Sequence, residues 1–219
     1  LLRVLHDAFP GMLFQWQQII VFLSVASMLL GSFAAIGQTS IKRLLAFSSI
    51  ANVGFILIGL AAGTEYGVSS VLIYLTIYVV MTLGSFAVVL AMRRKDEMED
   101  TIQSLAGLSQ TNLPMAVAFA ALLFSMAGIP PLAGFFAKFY VFDAAIKAGL
   151  TPLVIIGVLA SVVGAFYYLR VVKIMFFEEP ADKFTPAEPA VRWVMGLSAA
   201  LVIFYVVIPS PLIDAAGSA

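Results

Sequence analysis

One lysine stands inside a long apolar segment that glycine and proline residues interrupt. The segment SMAGIPPLAGFFAKFYVFDAA places Lys138 among aromatic residues. Burying a charged lysine in the middle of a bilayer costs at least about 2.5–3.5 kcal/mol, and burial favours the neutral amine. Because such an amine can take and release protons, we predict that Lys138 is a proton relay. The alternative is a structural lysine that snorkels to the membrane surface or pairs with a carboxylate, either Asp143 or one outside this chain.

The helix that carries Lys138 is predicted to be discontinuous. Prolines remove backbone donors and clash with the preceding turn, whereas glycines permit dihedral angles that other residues avoid. The residues that break the helix are Gly128, Pro130, Pro131 and Gly134. Non-helical backbone at membrane depth survives only within protein or beside a water-filled cavity, so the break predicts internal water. The positive end of the second half-helix would further favour a neutral Lys138.

Further polar residues occur in pairs within apolar segments. Ser48 and Asn52 share one face of a helix at i, i+4 spacing, where they can hydrogen-bond water or a neighbouring helix. Tyr74 and Tyr78 share a face in the next segment. Helix packing is the stronger interpretation for each of these residues taken singly. Two more polar candidates follow Lys138 on its own half-helix, namely Tyr140 and Asp143.

The elements that position these residues are predicted to be membrane-spanning helices. The chain is 62% hydrophobic and 11% charged, whereas soluble domains carry about 25% charged residues. A bilayer core of about 30 Å requires roughly 20 apolar residues per helix. We therefore predict an all-α, polytopic membrane bundle in a single domain, 1–219, with six spans, the fourth discontinuous. The predicted helices are 13–37, 43–62, 67–92, 113–148 with a break near 128–133, 152–177 and 191–213.

Basic residues are concentrated in alternate loops. They follow the first, third and fifth spans, and are Lys42, Arg43, Arg93, Arg94, Lys95, Lys183 and Arg192. Since basic loops favour the cytoplasm, both ends of the chain are predicted to face the periplasm. Tyr167 and Tyr168, near the basic end of the fifth span, are interpreted as interfacial anchors. The acidic run Asp96–Asp100 is interpreted as a solvated loop.

Composition excludes several kinds of site. The chain contains no cysteine, which excludes disulfides and thiolate-ligated iron–sulfur or zinc centres within it. The single histidine, His6, is insufficient for a metal site, and a net charge of zero indicates no nucleic-acid partner. No nucleotide-binding fingerprint occurs. The sequence begins Leu-Leu-Arg with no signal-peptide pattern, and we expect it to start partway through a larger protein.

Two motifs carry a family resemblance. QTSIKRLLAFSSIANVGF and MAGIPPLAGFFAKFY resemble the antiporter-like membrane subunits of respiratory complex I, a family that includes subunits of Mrp cation/proton antiporters and membrane-bound hydrogenases. The resemblance covers nearly the whole chain. It implies a fourteen-helix fold with two inverted five-helix repeats, in which these spans are helices nine to fourteen. The fourth span is then the broken helix of the second half-channel, centred on Lys138.

The resemblance also implies a function and partners. It implies a bacterial inner-membrane subunit that moves protons while NADH, FMN, iron–sulfur clusters and quinone act on other subunits, so no cofactor is expected in this chain. The implied partners are the lipid bilayer, subunit M, small subunits such as subunit K, and the lateral helix of subunit L. The triplet Lys138-Phe139-Tyr140 is unlike subunit M, which typically has glutamate first, and unlike subunit L, which follows the lysine with acidic residues.

One position departs from the family pattern. Asn52 occupies a site where relatives often carry histidine, and asparagine does not titrate near neutral pH, so a protonatable relay is not expected there. Two alternatives to a complex I subunit stay open. One is a subunit of an Mrp-type antiporter or membrane-bound hydrogenase. The other is a structural scaffold of the membrane arm in which Lys138 is merely paired.

Overall fold

Four helices in the described part of the chain are long enough to cross a bilayer. The computed structural model describes residues 12–94 and 97–205. The long helices have 21–27 residues each, where roughly 20 are required. They are α1 (Leu13–Ile36), α2 (Ile41–Ala61), α3 (Glu65–Ala91) and α7 (Thr151–Phe177). The prediction of an all-α membrane bundle is confirmed.

Shorter elements complete the described chain. In order they are β1 (Arg93–Arg94), β2 (Glu97–Met98), a 3₁₀ turn (Ile102–Leu105), α4 (Leu108–Thr111), α5 (Leu113–Ala127), α6 (Ala133–Lys147) and α8 (Pro189–Phe204). The predicted fourth span, 113–148, thus corresponds to α5 and α6 with residues 128–132 between them. Of the predicted sixth span, 191–213, the part beyond residue 205 lies outside the described residues.

Helices α2 and α3 begin two residues before the predicted positions because polar caps extend them. The side chain of Ser40 accepts a hydrogen bond from the Arg43 backbone N–H at 3.4 Å. Thr64 does the same for the Gly67 N–H at 3.0 Å. Each cap satisfies one of the N–H groups that a helix start leaves without a partner.

Helices α1 and α2 approach each other closely at two glycines. A Cβ at Gly31 would lie 2.7 Å from the Phe47 carbonyl oxygen, and one at Gly54 would lie 2.8 Å from the Met28 backbone nitrogen. At the same contact, Ser24 Oγ donates a hydrogen bond to the Gly54 carbonyl oxygen at 2.7 Å. Small residues with a polar tie are a usual means of helix association in lipid, and they fix α1 against α2.

The loops that carry the basic residues meet at one end of the bundle. The Ile41 N–H donates to the Asp100 carbonyl oxygen at 2.7 Å, and the Thr185 N–H donates to the Arg93 carbonyl oxygen at 2.8 Å. These bonds join the start of α2 to the segment after α3, and that segment to the loop after α7. The described basic residues of these loops therefore lie at a common end, and Lys95 lies outside the described residues.

The segment after α3 is more structured than the expected solvated loop. Strands β1 and β2 pair antiparallel, with Arg94 opposite Glu97. Asp100 accepts a hydrogen bond from Ser40 Oγ at 2.8 Å, and Glu99 accepts one from Ser104 Oγ at 2.9 Å. Glu99 and Asp100 are half-buried and tether the segment to neighbouring polar side chains, which the expectation of a solvated acidic run did not include, and Asp96 lies outside the described residues.

Candidate functional site

The end of α5 is set by Gly128. This residue has φ +86°, and its N–H donates to the carbonyl oxygens of Phe124 at 3.1 Å and Ser125 at 2.9 Å. A left-handed glycine with such bonds is a common helix terminator. The predicted break thus begins at Gly128.

The two prolines leave specific carbonyl oxygens at the end of α5 without partners. In a continuous helix the carbonyl of residue i accepts from the N–H of residue i+4. The carbonyls of Met126 and Ala127 would therefore accept from residues 130 and 131. Both of these are proline and have no N–H. The sequence GIPP creates two free acceptors on adjacent residues at membrane depth.

Lys138 donates hydrogen bonds to those two carbonyl oxygens. Side chains on a helix tilt toward its N-terminus, so Lys138 in the second turn of α6 reaches back over the break. Its Nζ donates to the Met126 and Ala127 carbonyl oxygens, each at 3.0 Å, and to Ser161 Oγ on α7 at 2.8 Å. The side chain is only 7% exposed. An ammonium group has three donors, and the structure gives it three acceptors.

The remaining surroundings of Lys138 are neutral. The Phe55 ring centroid on α2 lies 4.8 Å from Nζ, which is within cation–π range. A Cβ at Gly128 would lie 3.1 Å from Lys138 Cδ and 3.3 Å from Nζ, so this glycine leaves room for the stem. Carbonyl dipoles, one hydroxyl and one aromatic face hold the amine.

Asp143 does not pair with Lys138 in the structure. Its carboxylate accepts from Lys147 Nζ at 2.7 Å and from the Tyr66 hydroxyl at 2.8 Å. Within residues 12–94 and 97–205, the two ion pairs are Arg94–Glu99 and Asp143–Lys147. The alternative in which Asp143 neutralises Lys138 is therefore wrong for this structure, because Asp143 is bound one turn further along at the exposed helix end.

The helix end that lies next to the Lys138 amine is the C-terminal end of α5, not the start of α6. The sequence suggested that the positive start of α6 would act on Lys138. The amine instead lies on the last carbonyls of α5, and the C-terminal end of a helix is its negative end. These carbonyls favour the charged amine, and burial opposes it. The site therefore balances two opposing effects.

A second contact holds α5 against α6. The Gly134 N–H donates to Ser125 Oγ at 2.9 Å, and Ser125 Oγ also lies 3.0 Å from Met81 Sδ on α3. A Cβ at Gly134 would overlap the Ser125 carbonyl oxygen. The second glycine of the motif is thus required by close packing of the two half-helices, which keeps Lys138 in register with its acceptors.

A cavity of about 370 Å³ adjoins the amine. Its polar side chains are Lys138 and Ser161, and its apolar wall includes Phe135, Phe142 and Val158. The break was expected to mark a water-filled space. The lining offers water few side-chain partners, so the polar surface available there comes mainly from Lys138, Ser161 and the freed carbonyls.

A buried polar chain crosses three helices beside this site. The Tyr74 hydroxyl on α3 donates to Asn52 Oδ1 on α2 at 2.8 Å. Asn52 Nδ2 donates to Ser48 Oγ at 3.2 Å and to the Ser48 carbonyl oxygen at 2.9 Å. Ser48 Oγ in turn bonds the Tyr168 hydroxyl on α7. Residues 48, 52 and 55 follow one face of α2, so this chain and Lys138 lie against the same helix face.

The interpretation of two tyrosines as interfacial anchors is wrong. Tyr167 and Tyr168 are 2% and 1% exposed, and their ring centroids are 4.5 Å apart. Sequence reasoning also missed Ser161. The available signal was spacing, because Ser161 and Tyr168 are seven residues apart and such residues share a helix face.

The other predicted residues lie around this core. Tyr78 is half-buried on α3 and packs against the apolar core. Tyr140 is half-buried on α6 with its ring centroid 6.0 Å from that of Phe139. Within the part of the chain that the structure describes, no three carboxylate, histidine or cysteine side chains come together to hold a metal ion. The structure thus brings Ser48, Asn52 and Tyr74 together in hydrogen bonds, whereas Asp143 bonds Tyr66 and Lys147 instead.

Comparison with known proteins identifies one family model and many relatives. The family model described as "NADH:quinone oxidoreductase/Mrp antiporter, TM" matches residues 1–164. NADH-quinone oxidoreductase subunit N of Methylobacterium nodulans is 58% identical over 217 residues, covering 99% of this chain and 45% of that protein. NADH-quinone oxidoreductase subunit N 1 of Rhizobium meliloti is 59% identical over 220 residues, covering 100% and 46%. The chain spans about half the length of the curated relatives it matches.

Solved structures show a similar fold. A chain of respiratory complex I from Thermus thermophilus superposes with a TM-score of 0.80 and 29% identity, covering 90% of this chain and 45% of that chain. A chain of the Mrp complex from Dietzia sp. DQ12-45-1b gives a TM-score of 0.88 with 22% identity, covering 99% and 49%. The second likeness shows the fold alone.

Proposed function

Because the chain belongs to the NADH:quinone oxidoreductase/Mrp antiporter family of transmembrane proteins, we propose that it forms part of subunit N of a proton-translocating NADH:quinone oxidoreductase. In this proposal Lys138 carries a proton within a half-channel while quinone is reduced elsewhere in the complex. The observation that carries the proposal is the buried amine bound by three neutral acceptors at a helix break. The relatives named as subunit N support the choice of subunit.

The neutral acceptors suit a group whose charge must change. A carboxylate partner within about 4 Å would favour the ammonium by a full Coulomb interaction, which is large in a medium of low dielectric constant. Carbonyl and hydroxyl dipoles favour it less. A change of charge elsewhere in the membrane arm can then decide whether Lys138 holds its proton. Each proton moved against 100 mV costs about 2.3 kcal/mol, so such external control is required.

The proposal assigns other components to other chains. NADH, FMN, iron–sulfur clusters and quinone would bind on other subunits, and this chain would hold no cofactor. Its neighbours would be subunit M, small subunits such as subunit K, and the lateral helix of subunit L. The location would be the bacterial inner membrane, with the chain acting as a non-redox subunit of the translocase.

The test replaces the proposed proton carrier in the whole complex. We expect Lys138→Ala to impair proton pumping or coupled turnover in reconstituted enzyme while the complex still assembles. Lys138→Arg should impair it too, because arginine keeps its charge. The matched control is Lys147→Ala, which removes another lysine of α6 that is exposed and paired with Asp143. Full pumping stoichiometry in Lys138→Ala would overturn the proposal, and unchanged pumping in Lys138→Arg would favour a scaffold.

A second candidate is a subunit of an Mrp-type cation/proton antiporter. Two observations support this candidate. They are the likeness in fold to the Dietzia Mrp chain and the family model, whose description also names the Mrp antiporter. The two candidates differ in what drives transport. Sodium-dependent proton movement in the absence of quinone would favour the antiporter, whereas proton movement that requires quinone reduction would favour the oxidoreductase.

Orientation in the membrane is part of the same proposal. The basic loops share one end of the bundle, and basic loops favour the cytoplasm, so we place that end inside the cell. Residues 1–219 contain no cysteine, which permits single-cysteine labelling within this region. Lys183→Cys should be protected from an impermeant thiol reagent in intact cells, and Lys147→Cys should react. The reverse pattern would refute the assignment.

A further inference from the structure

A surface groove between α5 and α8 has an apolar floor and cationic side chains at one end. The groove has a volume of about 630 Å³, and a second cavity of about 310 Å³ adjoins it at the basic end of the bundle. Pro114, Arg192 and Met195 line both, so the two spaces lie side by side. A water molecule takes only about 30 Å³ in the liquid, so the combined space suits a much larger occupant.

The polar end of this groove is complementary to an anion. Lys183 and Arg192 both line the smaller cavity, and neither side chain has a hydrogen-bond or ion-pair partner within the described ranges 12–94 and 97–205. In the part of the chain that the structure describes, no aspartate or glutamate lines either space. The acidic Glu188 faces a neighbouring cavity that also contains Arg93. Among the described residues, Lys183 and Arg192 therefore face a cavity that no carboxylate lines.

The rest of the groove is complementary to a hydrocarbon chain. Its floor is built from small residues, Ala118, Gly196 and Ala200, and a Cβ at Gly196 would meet no atom within 4 Å. Ala200 lies eight residues beyond Arg192, roughly 12 Å along the helix at 1.5 Å per residue. One leaflet occupies half of a hydrocarbon core of about 30 Å. The apolar part thus extends over nearly the depth of one leaflet.

An exposed tryptophan marks the membrane boundary beside this groove. Trp193 lines it and is 78% exposed, and tryptophan concentrates at the boundary between headgroups and hydrocarbon. Arg192, the preceding residue, then lies at headgroup level, whereas Leu197 and Ala200 lie in the hydrocarbon. The cationic end of the groove, the length of its apolar floor and the position of Trp193 all suit a lipid molecule.

We infer that the α5–α8 groove binds one phospholipid with an anionic headgroup. Its phosphate contacts Lys183 and Arg192, and one acyl chain lies on Ala118, Gly196 and Ala200. This site is separate from Lys138 and does not depend on the proposed proton path. It requires only that the bundle spans a bilayer.

The test measures lipid retention by the complete complex. Native mass spectrometry would follow phosphatidylglycerol and phosphatidylcholine of the same acyl composition added to delipidated enzyme. We expect phosphatidylglycerol to bind more tightly, and Lys183→Gln or Arg192→Gln to weaken it about fivefold each, since one basic residue near a membrane surface contributes about this factor. The control Lys173→Gln removes an exposed charge that lines neither space and should leave binding unchanged.

A second variant tests the acyl part of the site. Gly196→Phe fills the groove and should abolish binding of both lipids, whereas Gly37→Phe, at another glycine with open space around its Cβ position, should not. Equal binding of the two lipids, or unchanged binding in both charge variants, would overturn the inference. Displacement of the lipid by inorganic phosphate alone would indicate a free-anion site and would overturn it too. So would a neighbouring subunit seated in the groove of the assembled complex.

Discussion

Replacing Gly134 with alanine should separate the two half-helices that frame Lys138. A Cβ at Gly134 would overlap the Ser125 carbonyl oxygen and would lie 2.7 Å from the carbonyl carbon, where ordinary contact begins at 3.4 Å, so α6 must move by more than about 0.7 Å. That movement lengthens the hydrogen bond from the Gly134 N–H to Ser125 Oγ. It also carries Lys138 away from acceptors that are now 3.0 Å distant.

The expected cost follows from these contacts. Overpacking costs about 1–3 kcal/mol, and a lost hydrogen bond costs about 1 kcal/mol. The gain from replacing a helical glycine with alanine is about 0.5–1 kcal/mol. The net destabilisation is about 1–3 kcal/mol. The control is Gly37→Ala just after α1, where φ is −80° and a Cβ meets no atom within 4 Å, so this variant should keep its stability.

The assay compares both variants in the purified complex. Heat resistance, followed as the fraction of intact complex after incubation, should fall for Gly134→Ala and stay unchanged for Gly37→Ala. Coupled turnover should fall only for Gly134→Ala, because its lysine is displaced. A third variant, Ser125→Ala, removes the hydrogen bond without adding volume and should lose less heat resistance than Gly134→Ala. Identical behaviour of the two glycine variants would refute the close-packing argument.

Three further substitutions test the site. Ser161→Ala removes the acceptor that lies 2.8 Å from Lys138 Nζ and should slow coupled turnover, measured as proton uptake. Ser161→Thr retains a hydroxyl acceptor and should retain the rate, so equal rates for the two variants would contradict this role of Ser161. Tyr168→Phe removes the hydroxyl that bonds Ser48 Oγ and leaves Asn52 as a remaining partner of Ser48, so heat resistance of the complex should fall by an amount equivalent to about 1 kcal/mol; an unchanged melting profile would count against the polar chain. Asp143→Asn breaks only an exposed pair with weak effect and should leave pumping intact, whereas lost pumping would restore the idea that Asp143 governs Lys138.

The break in the fourth span and the position of Lys138 could be read from the sequence because proline and glycine act locally. The family resemblance carried by the same motif is confirmed by the match over residues 1–164. The acceptors of Lys138 were harder to foresee. Ser161 lies on another helix, 23 residues away, and only folding brings it to the amine.

The interpretation of Tyr168 as an interfacial anchor was wrong because of the length of α7. An aromatic pair followed by basic residues suggests a membrane boundary, but α7 continues to Phe177. Tyr168 therefore lies nine residues from the helix end, roughly 14 Å at 1.5 Å per residue. At that depth its hydroxyl needs a protein partner, which is Ser48. The acidic segment after α3 was misjudged for a related reason, since sequence does not show which loops meet.

The paired prolines have a mechanical consequence. Since residues 130 and 131 cannot cap the final carbonyls of α5, the amine of Lys138 acts as their cap, supplied from the next helix. Loss of a proton removes one of its three donors. The protonation of one side chain is thereby linked to how firmly a helix end is held. Deprotonation of Lys138 would thus weaken the hydrogen bonds that hold the end of α5 to α6.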